Sequence, residues 1–232
     1  MNESKERKIG IILSYVTLIA TTVIQLVYTP FLIKMMGQSE YGLYSLVYSV
    51  IGYLTVLDLG FGNAIIVYTT KFRSLKKYEE EKKLYGMFKI VFIIIGIIAF
   101  FLGIVLFFNV DNIFGNNMSF EEIKKMKIMM IILSFNLLIT FIFSIYSSII
   151  TAYEKFTYQK VMAILNTILK PILMIPLLFL GYKSITMCFV VTLVNLIVLI
   201  SNYIYCKIKL NIKIGYYGFD IALFKQVLSY SF

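Results

Sequence analysis

Six long, strongly apolar runs alternate with short polar segments along the chain. They lie at residues 9–33, 41–70, 90–110, 128–153, 161–180 and 185–206. A transmembrane helix needs about 20 mainly apolar residues, whereas the apolar part of a secretory signal peptide spans only about 7–15, so the first run is too long for a signal peptide. The pattern predicts an all-α integral membrane protein whose six transmembrane helices form one bundle over residues 9–206.

The composition supports this fold class and narrows the chemistry. Of the 232 residues, 60% are apolar and 15% are charged, against about 45–50% and about 25% in soluble domains. The chain has no histidine, which excludes His-based triads and His metal ligands. It also lacks a Gly-rich phosphate loop, paired cysteines at metal-binding spacing and an Asp-rich cluster. We therefore expect no metal, no cofactor and no enzymatic activity.

The distribution of basic residues predicts the orientation in the membrane. Lys and Arg concentrate in segments 1–8, 71–89, 155–160 and 207–225, whereas the alternate connections hold few. By the positive-inside rule, both ends of the bundle face the cytoplasm. This topology explains the net charge of +10 without a nucleic-acid partner. Residues 1–8 are predicted to be a cytoplasmic N-terminus, and 207–232 a cytoplasmic linker and interfacial helix that leads toward a second bundle.

Polar residues fall on one face in five of the six spans. An unpaired polar group in hydrocarbon is costly, so these faces predict a shared polar interior. The alternative is that Ser and Thr bond to their own helix carbonyls while Asn and Tyr join helices. The third span is almost wholly apolar and is expected to face lipid or to pack by shape. The candidates for a substrate lumen are Lys170, Asp58, Gln25, Tyr28, Asn136, Thr140, Asn166 and Asn195.

Two charges lie within predicted spans. A cation at mid-span costs at least about 2.5–3.5 kcal/mol, so Lys170 is expected to attract an anionic substrate group or to pair with Asp58, unless its stem reaches an interface. Asp58 has a second explanation, since it precedes Gly60 and Gly62 and a carboxylate can cap a broken helix. By contrast, the charged run at 76–83 is predicted to be a solvated cytoplasmic helix in which opposite charges pair at i,i+3 and i,i+4, notably Glu79 with Lys83.

Several short segments give a family resemblance. They are TPFLIKMMG at 29–37, EYGLY at 40–44, LDLGFGNA at 57–64, YEKF at 153–156, Lys170-Pro171 and GYKSI at 181–185. In these segments the chain resembles the bacterial polysaccharide flippases, the Wzx-like oligosaccharide transporters of the MATE-like MOP superfamily. The residues that carry the motif are Pro30, Gly37, Tyr41, Gly42, Gly60, Gly62, Asn63 and Pro171.

The resemblance implies a multi-pass carrier in the bacterial inner membrane. Such a carrier moves an undecaprenyl-diphosphate-linked oligosaccharide outward for capsule, O-antigen or exopolysaccharide synthesis. The sugar passes through a hydrophilic lumen and the lipid tail along a lateral gate, by alternating access between two six-helix bundles coupled to an ion gradient. Cationic lumen residues meet the diphosphate, and Lys170 is the candidate here.

The family has about twice as many helices as this chain, so the resemblance implies the amino-terminal half of such a transporter, one side of a MATE-like inverted V. The implied partners are the lipid-linked oligosaccharide, membrane lipid, a second six-helix half, and a polysaccharide polymerase or glycosyltransferases. Two alternatives stay open. One is a MATE-like exporter coupled to cations, which needs an intramembrane acid; the other is a non-catalytic membrane subunit of a glycan assembly complex.

Overall fold

The structure is a computed structural model that describes residues 3–115, 118–215, 221 and 224–225, with side chains from residue 9 onward. The helices are α1 (Glu3–Met36), α2 (Gln38–Tyr53), a 3-10 helix (Leu54–Asp58), α3 (Phe61–Ser74), α4 (Tyr78–Phe114), α5 (Phe120–Ala152), α6 (Phe156–Phe179) and α7 (Ser184–Ile208). Within this described part of the chain, six helical spans are long and apolar enough to cross a membrane, with Gln38–Ser74 counted as one. The predicted all-α, six-span fold class is confirmed.

Several helices continue well beyond the uncharged runs that predicted them. The largest extension is at α4, which begins at Tyr78 rather than at residue 90. Its first turns are charged but helical, because Glu79 pairs with Lys82 at 2.6 Å and Glu80 with Lys83 at 3.5 Å. The predicted pairing at i,i+3 is thus observed, whereas Lys83 pairs with Glu80 rather than with Glu79.

A break interrupts the second span between α2 and α3. Leu59 and Gly60 adopt left-handed backbone conformations, with φ of 48° and 76°. A non-glycine residue in this region is uncommon, and the left-handed pair turns the chain between the two helices. The carboxylate of Asp58 accepts hydrogen bonds from the backbone N–H groups of Gly60 and Gly62. Asp58 therefore caps the start of α3, where the first N–H groups of a helix lack partners.

α4 and α5 pack closely at two glycines of α4. A Cβ at Gly103 would lie 2.0 Å from Ser134 Oγ, and one at Gly96 would lie 3.0 Å from the Leu138 carbonyl oxygen. Small residues allow such backbone approach in membrane proteins. The opposite face of α4 carries exposed side chains such as Phe101 and Phe108. The third span thus packs by shape on one side and is open to lipid on the other.

The two ends of the bundle differ in their polar contacts. We call the end where α3 and α5 finish and α4 and α6 begin the basic end, because it carries most of the lysines. At the opposite end, Glu40 of α2 accepts hydrogen bonds from Lys125 of α5 and Ser184 of α7. Ser39 also donates to Glu122, at 2.6 Å. These contacts join the ends of three helices.

Replacing Glu40 with Gln should lower the stability of the bundle. The side chain of Glu40 is only 13% exposed, and the loss of a hydrogen bond to a charged group costs about 1.5–3 kcal/mol. The matched control is Asp111→Asn, which breaks the pair with Lys127; Asp111 is 57% exposed, so we expect about 0–1 kcal/mol. Thermal unfolding of both variants in detergent measures the difference. Equal losses would show that Glu40 adds no more than a surface ion pair.

After α7 the chain turns back across the basic end. Residues 209–215 are not helical, and the backbone N–H of Gly215 donates to the carbonyl oxygen of Lys82 at 3.3 Å. Most of the predicted interfacial helix at 215–232 lies outside the described residues. Ile221, Phe224 and Lys225 are described and helical.

Candidate functional site

A polar cavity of about 380 Å³ lies between α2, the 3-10 helix, α5, α6 and α7. Five predicted lumen residues come together in it: Asn136, Thr140, Asn166, Lys170 and Asn195. The remaining lining residues are Tyr48, Ile51, Gly52, Thr55, Leu133, Leu137 and Val191. The cavity therefore combines one ammonium group, amides and hydroxyls with an apolar wall.

The amides are held in place by hydrogen bonds between helices. Asn195 of α7 donates through its side-chain nitrogen to Asn136 Oδ1 and Thr140 Oγ1 of α5, both at 2.7 Å. Thr140 in turn donates to the backbone carbonyl of Asn136 at 2.7 Å. Among the described residues, no hydrogen bond to the Asn195 side-chain oxygen or from the Asn136 side-chain nitrogen accompanies these bonds, so both atoms can bind a ligand. The cavity thus offers both an acceptor and a donor in fixed positions.

Lys170 brings a positive charge into this cavity. Within the residues that the structure describes, its ammonium group has neither an ion-pair partner nor a hydrogen-bond partner. A charge interacts more strongly where the surroundings are less polarisable than water, and Leu133, Leu137 and Val191 provide such surroundings. The arrangement is suited to an anionic group that also offers hydroxyls to the amides.

The other lumen candidates lie elsewhere. Gln25 is exposed on α1. Tyr28 lines a separate, apolar groove of about 430 Å³ between α1 and α6, and its hydroxyl contacts Met187 Sδ at 3.9 Å. Asp58 caps α3 and, among the described residues, forms no ion pair with Lys170. Of the two explanations for Asp58, the structure supports capping.

Several residues of the predicted polar faces follow the alternative explanation. Their hydroxyls donate to carbonyls one turn earlier in the same helix, as in Ser14, Thr17, Ser144, Thr151 and Thr192. Such hydroxyls are satisfied locally and need no lumen. The polar interior is therefore narrower than the sequence suggested, and it is centred on Lys170.

A second polar cluster at the basic end was not predicted. Glu81 is 4% exposed and accepts hydrogen bonds from Tyr85 at 2.7 Å and Tyr153 at 2.8 Å. The guanidinium of Arg73 lies 3.5 Å from the centroid of the Tyr153 ring. The prediction that the 76–83 run is wholly solvated is thus wrong at Glu81. Glu81 precedes Leu84, Tyr85 and Phe88 by three, four and seven residues, so it lies on the buried face of α4. This helical spacing was the feature of the sequence that could have predicted its burial.

Asn195→Ala should destabilise the contact between α5 and α7. Two interhelical hydrogen bonds are lost, and such bonds in membrane proteins are worth about 0.6 kcal/mol each, up to about 1.7. The control is Asn109→Ala, because Asn109 is exposed and donates only to the Val105 carbonyl of its own helix. Unfolding in mixed micelles should show a loss of roughly 1–2 kcal/mol for Asn195 alone. A similar loss in both variants would mean that the bridge contributes nothing specific.

Within the part of the chain described, no three Cys, Asp or Glu side chains lie close enough together to hold a metal ion. The polar groups that line the cavity are the ammonium group of Lys170, side-chain amides and hydroxyls.

Three solved structures with a similar arrangement of helices are transporters. An outward-facing multidrug resistance MATE family transporter of the MOP superfamily aligns with a TM-score of 0.71 at 14% identity, over 98% of this chain and 50% of that one. A MOP superfamily transporter from Pyrococcus furiosus, described as having a binding pocket of reversed polarity that suggests a different function, aligns with a TM-score of 0.71 at 13% identity, over 98% and 49%. A MATE in complex with MaD3S gives a TM-score of 0.73 at 13% identity, over 98% and 50%.

These likenesses define the class of the fold. The chain has the six-helix fold found in MATE-like transporters of the MOP superfamily, and it spans about half the length of the transporters it matches. It is a multi-pass membrane protein. The chain belongs to the polysaccharide biosynthesis protein family, which it matches over residues 8–232. No curated protein sequence matches it significantly.

The family is thus that of polysaccharide biosynthesis proteins, and the fold is one found in transporters of the MOP superfamily. The resemblance to MOP-superfamily polysaccharide flippases is thereby confirmed at the level of family and fold.

Proposed function

We propose that this chain is the amino-terminal half of a flippase that carries undecaprenyl-diphosphate-linked oligosaccharide across the bacterial inner membrane. The observation that carries the proposal is the Lys170 ammonium in an amide-lined cavity, where it has no ion-pair partner among the described residues. A cation buried in a membrane protein without a partner is costly, and such residues mark substrate or ion pathways. A diphosphate supplies the missing negative charge, and sugar hydroxyls match the amides of Asn136 and Asn195.

The cavity holds only part of such a substrate. At about 380 Å³ it is the size of a small ligand site, so a second six-helix half completes the path and alternating access moves the substrate. In this proposal the basic end of the bundle faces the cytoplasm. Single cysteines at Lys76 and Lys183, in a background without Cys188 and Cys206, test that orientation with a membrane-impermeant thiol reagent. Only the Lys183 position should react from outside the cell.

A MATE-like exporter of cationic compounds is the second candidate, because the fold is shared with MATE transporters. Two observations count against it. Asp58 is occupied with the backbone N–H groups of Gly60 and Gly62, and the cavity carries a positive charge that repels a cationic substrate. Asp58→Asn should therefore destabilise the turn between α2 and α3. The exporter hypothesis predicts instead that this substitution abolishes efflux of a cationic dye.

Reconstitution tests the proposal directly. The intact transporter that contains this chain is placed in proteoliposomes with a fluorescent lipid-linked oligosaccharide in the inner leaflet. Transport should expose the glycan to an external glycosidase at a rate well above that of protein-free vesicles. Vesicles that export a cationic dye but leave the glycan protected would favour the exporter. Co-purification with glycan assembly proteins, without any translocation, would favour a non-catalytic subunit.

A further inference from the structure

The segment after α7 is fastened to the start of α4. We call residues 209–215 the strap. Its Gly215 N–H donates to the Lys82 carbonyl oxygen, and Leu210, Ile212 and Ile214 pack against the core. The strap therefore makes both polar and apolar contacts with the basic end of the bundle.

Beneath the strap lies the buried cluster around Glu81. Asn211, Ile212 and Lys213 enclose a pocket of about 160 Å³ together with Tyr78, Glu81, Lys82, Tyr85 and Tyr153. Through Arg73, Glu81 and Tyr153 this cluster joins the end of α3, the start of α4 and the end of α5. The strap thus lies on the point where three helices meet.

A second attachment lies deeper in the bundle. The ring of Phe224 has centroid distances of 6.2 Å to Phe61 and 6.4 Å to Phe88, and those two rings are 5.7 Å apart. Phe61 is 4% exposed and Phe88 is fully buried. Aromatic pairs at these distances stabilise a contact beyond the burial of their area. Phe61 is the first residue of α3, immediately after the break.

The break is also part of the cavity wall. Tyr48 and Gly52 of α2 and Thr55 of the 3-10 helix line the Lys170 cavity, and Leu59 and Gly60 complete the turn into α3. Hinges are short stretches at the ends of helices that absorb changes in backbone angles. Phe224 contacts Phe61 at the start of α3, and the strap covers the cluster around Glu81, which includes Arg73 near the end of α3. These two attachments hold α3 near both of its ends, so they restrain the angle at this break.

From these contacts we infer that the strap and Phe224 set the angle between α2 and α3, and thereby control the wall of the Lys170 cavity. Movement of the segment that follows α7 is transmitted to the first turn of α3 through the Phe224–Phe61 contact. The role of this control in transport rests on the proposed function. The mechanical coupling itself does not.

The coupling can be measured without transport. Spin labels at Tyr53 on α2 and Thr70 on α3, both exposed, flank the break. They are placed in the intact transporter in lipid nanodiscs, with Cys188 and Cys206 replaced by Ala. Because Thr70 lies nine residues after Phe61, about 14 Å along α3, a change in kink of about 20° moves it by about 5 Å. Phe224→Ala and Gly215→Pro, which removes the donor to Lys82, should each shift or broaden the distance distribution by about that amount.

A matched control and a second measurement complete the test. Phe189→Ala removes an equal side chain from an exposed position on α7, and it should leave the distances unchanged. A cysteine at Asn166, inside the cavity, should react with a thiol reagent several-fold faster or slower in the Phe224→Ala and Gly215→Pro variants than in the parent. Should Phe224→Ala not fold, Phe224→Leu and Gly215→Pro supply the same comparison.

The outcomes separate the two proposals. Unchanged distances and unchanged Asn166 labelling in folded strap variants would overturn the coupling, whatever the substrate is. Shifted distances in a transporter that does not move lipid-linked oligosaccharide would keep the coupling and reject the proposed function.

Discussion

Lys170→Gln is expected to remove most translocation of lipid-linked oligosaccharide while the protein keeps its fold. A hydrogen bond between charged groups contributes about 1.5–3 kcal/mol, so its loss weakens substrate binding by roughly 10- to 150-fold. The stability of the fold should not fall and should rise, because a cation at the centre of a membrane span costs at least about 2.5–3.5 kcal/mol and the half-buried Lys170 has no ion-pair partner among the described residues. The rate of translocation in proteoliposomes and the unfolding curve in detergent measure the two effects separately.

The direction of these two changes distinguishes a binding role from a structural one. Lys170→Arg keeps the charge and should retain part of the activity. Lys160→Gln removes a lysine from the same helix near the basic end, outside the cavity, and should transport at the parental rate. If Lys170→Gln transported as fast as the parent protein, the cavity would not be the path of the anionic group.

Gly103→Ala should be strongly destabilising, although it adds only one methyl group. The new Cβ would lie 2.0 Å from Ser134 Oγ and 2.7 Å from Ser134 Cβ, both far inside contact distance. Overpacking of this kind costs about 1–3 kcal/mol, and Gly103→Leu should cost more, because the side chain cannot leave the α4–α5 contact. Unfolding in detergent and the yield of monodisperse protein are the measurements.

A second substitution at the contact provides the control. Ser134→Gly removes the clashing atoms, since the Ser134 Cα lies at 3.8 Å from the new Cβ. The double variant Gly103→Ala/Ser134→Gly should therefore recover much of the lost stability. Gly42→Ala adds a methyl group where nothing lies within 4 Å, and it should be tolerated. Equal behaviour of the Gly42 and Gly103 variants would disprove the close packing.

Hydropathy was sufficient to predict the number of spans, because an apolar run of membrane length has few other stable arrangements. The ends of the helices were predicted less well. At Tyr78 and Phe120, helices begin in charged or polar sequence, and local ion pairs or a capping box at Ser119 stabilise them. Such local stabilisation is independent of hydropathy, so hydropathy alone predicts that these two helices begin later in the chain than they do.

The cavity was predictable where helical spacing alone fixes the face. Asn136 and Thr140 are four residues apart and therefore lie on one side of α5, and the same spacing relates Asn166 to Lys170. Spacing does not show which helices become neighbours. For this reason Tyr28, which has its polar face in common with Gln25, was assigned to the lumen although it faces an apolar groove.

Burial of charge was the hardest feature to predict. Glu81 lies in a run of alternating charges that is typical of a solvated helix, yet it is covered by Tyr85 and Tyr153. Tyr153 is distant in sequence, and a single sequence contains no information about this contact. Asp58 shows the converse, because its binding partners are backbone groups two and four residues away and capping was foreseeable from Gly60 and Gly62.

The position of α1 has a consequence for synthesis. α1 packs mainly on α6, and about half of its described apolar side chains remain exposed. About 120 residues separate its end at Met36 from the start of α6 at Phe156, so a ribosome adding about 5–20 residues per second delivers α6 roughly 6–24 s later. During that interval the newly inserted α1 waits among acyl chains without its main neighbour. Of the six spans described here, the one that is synthesised first is therefore among the last to reach its final position.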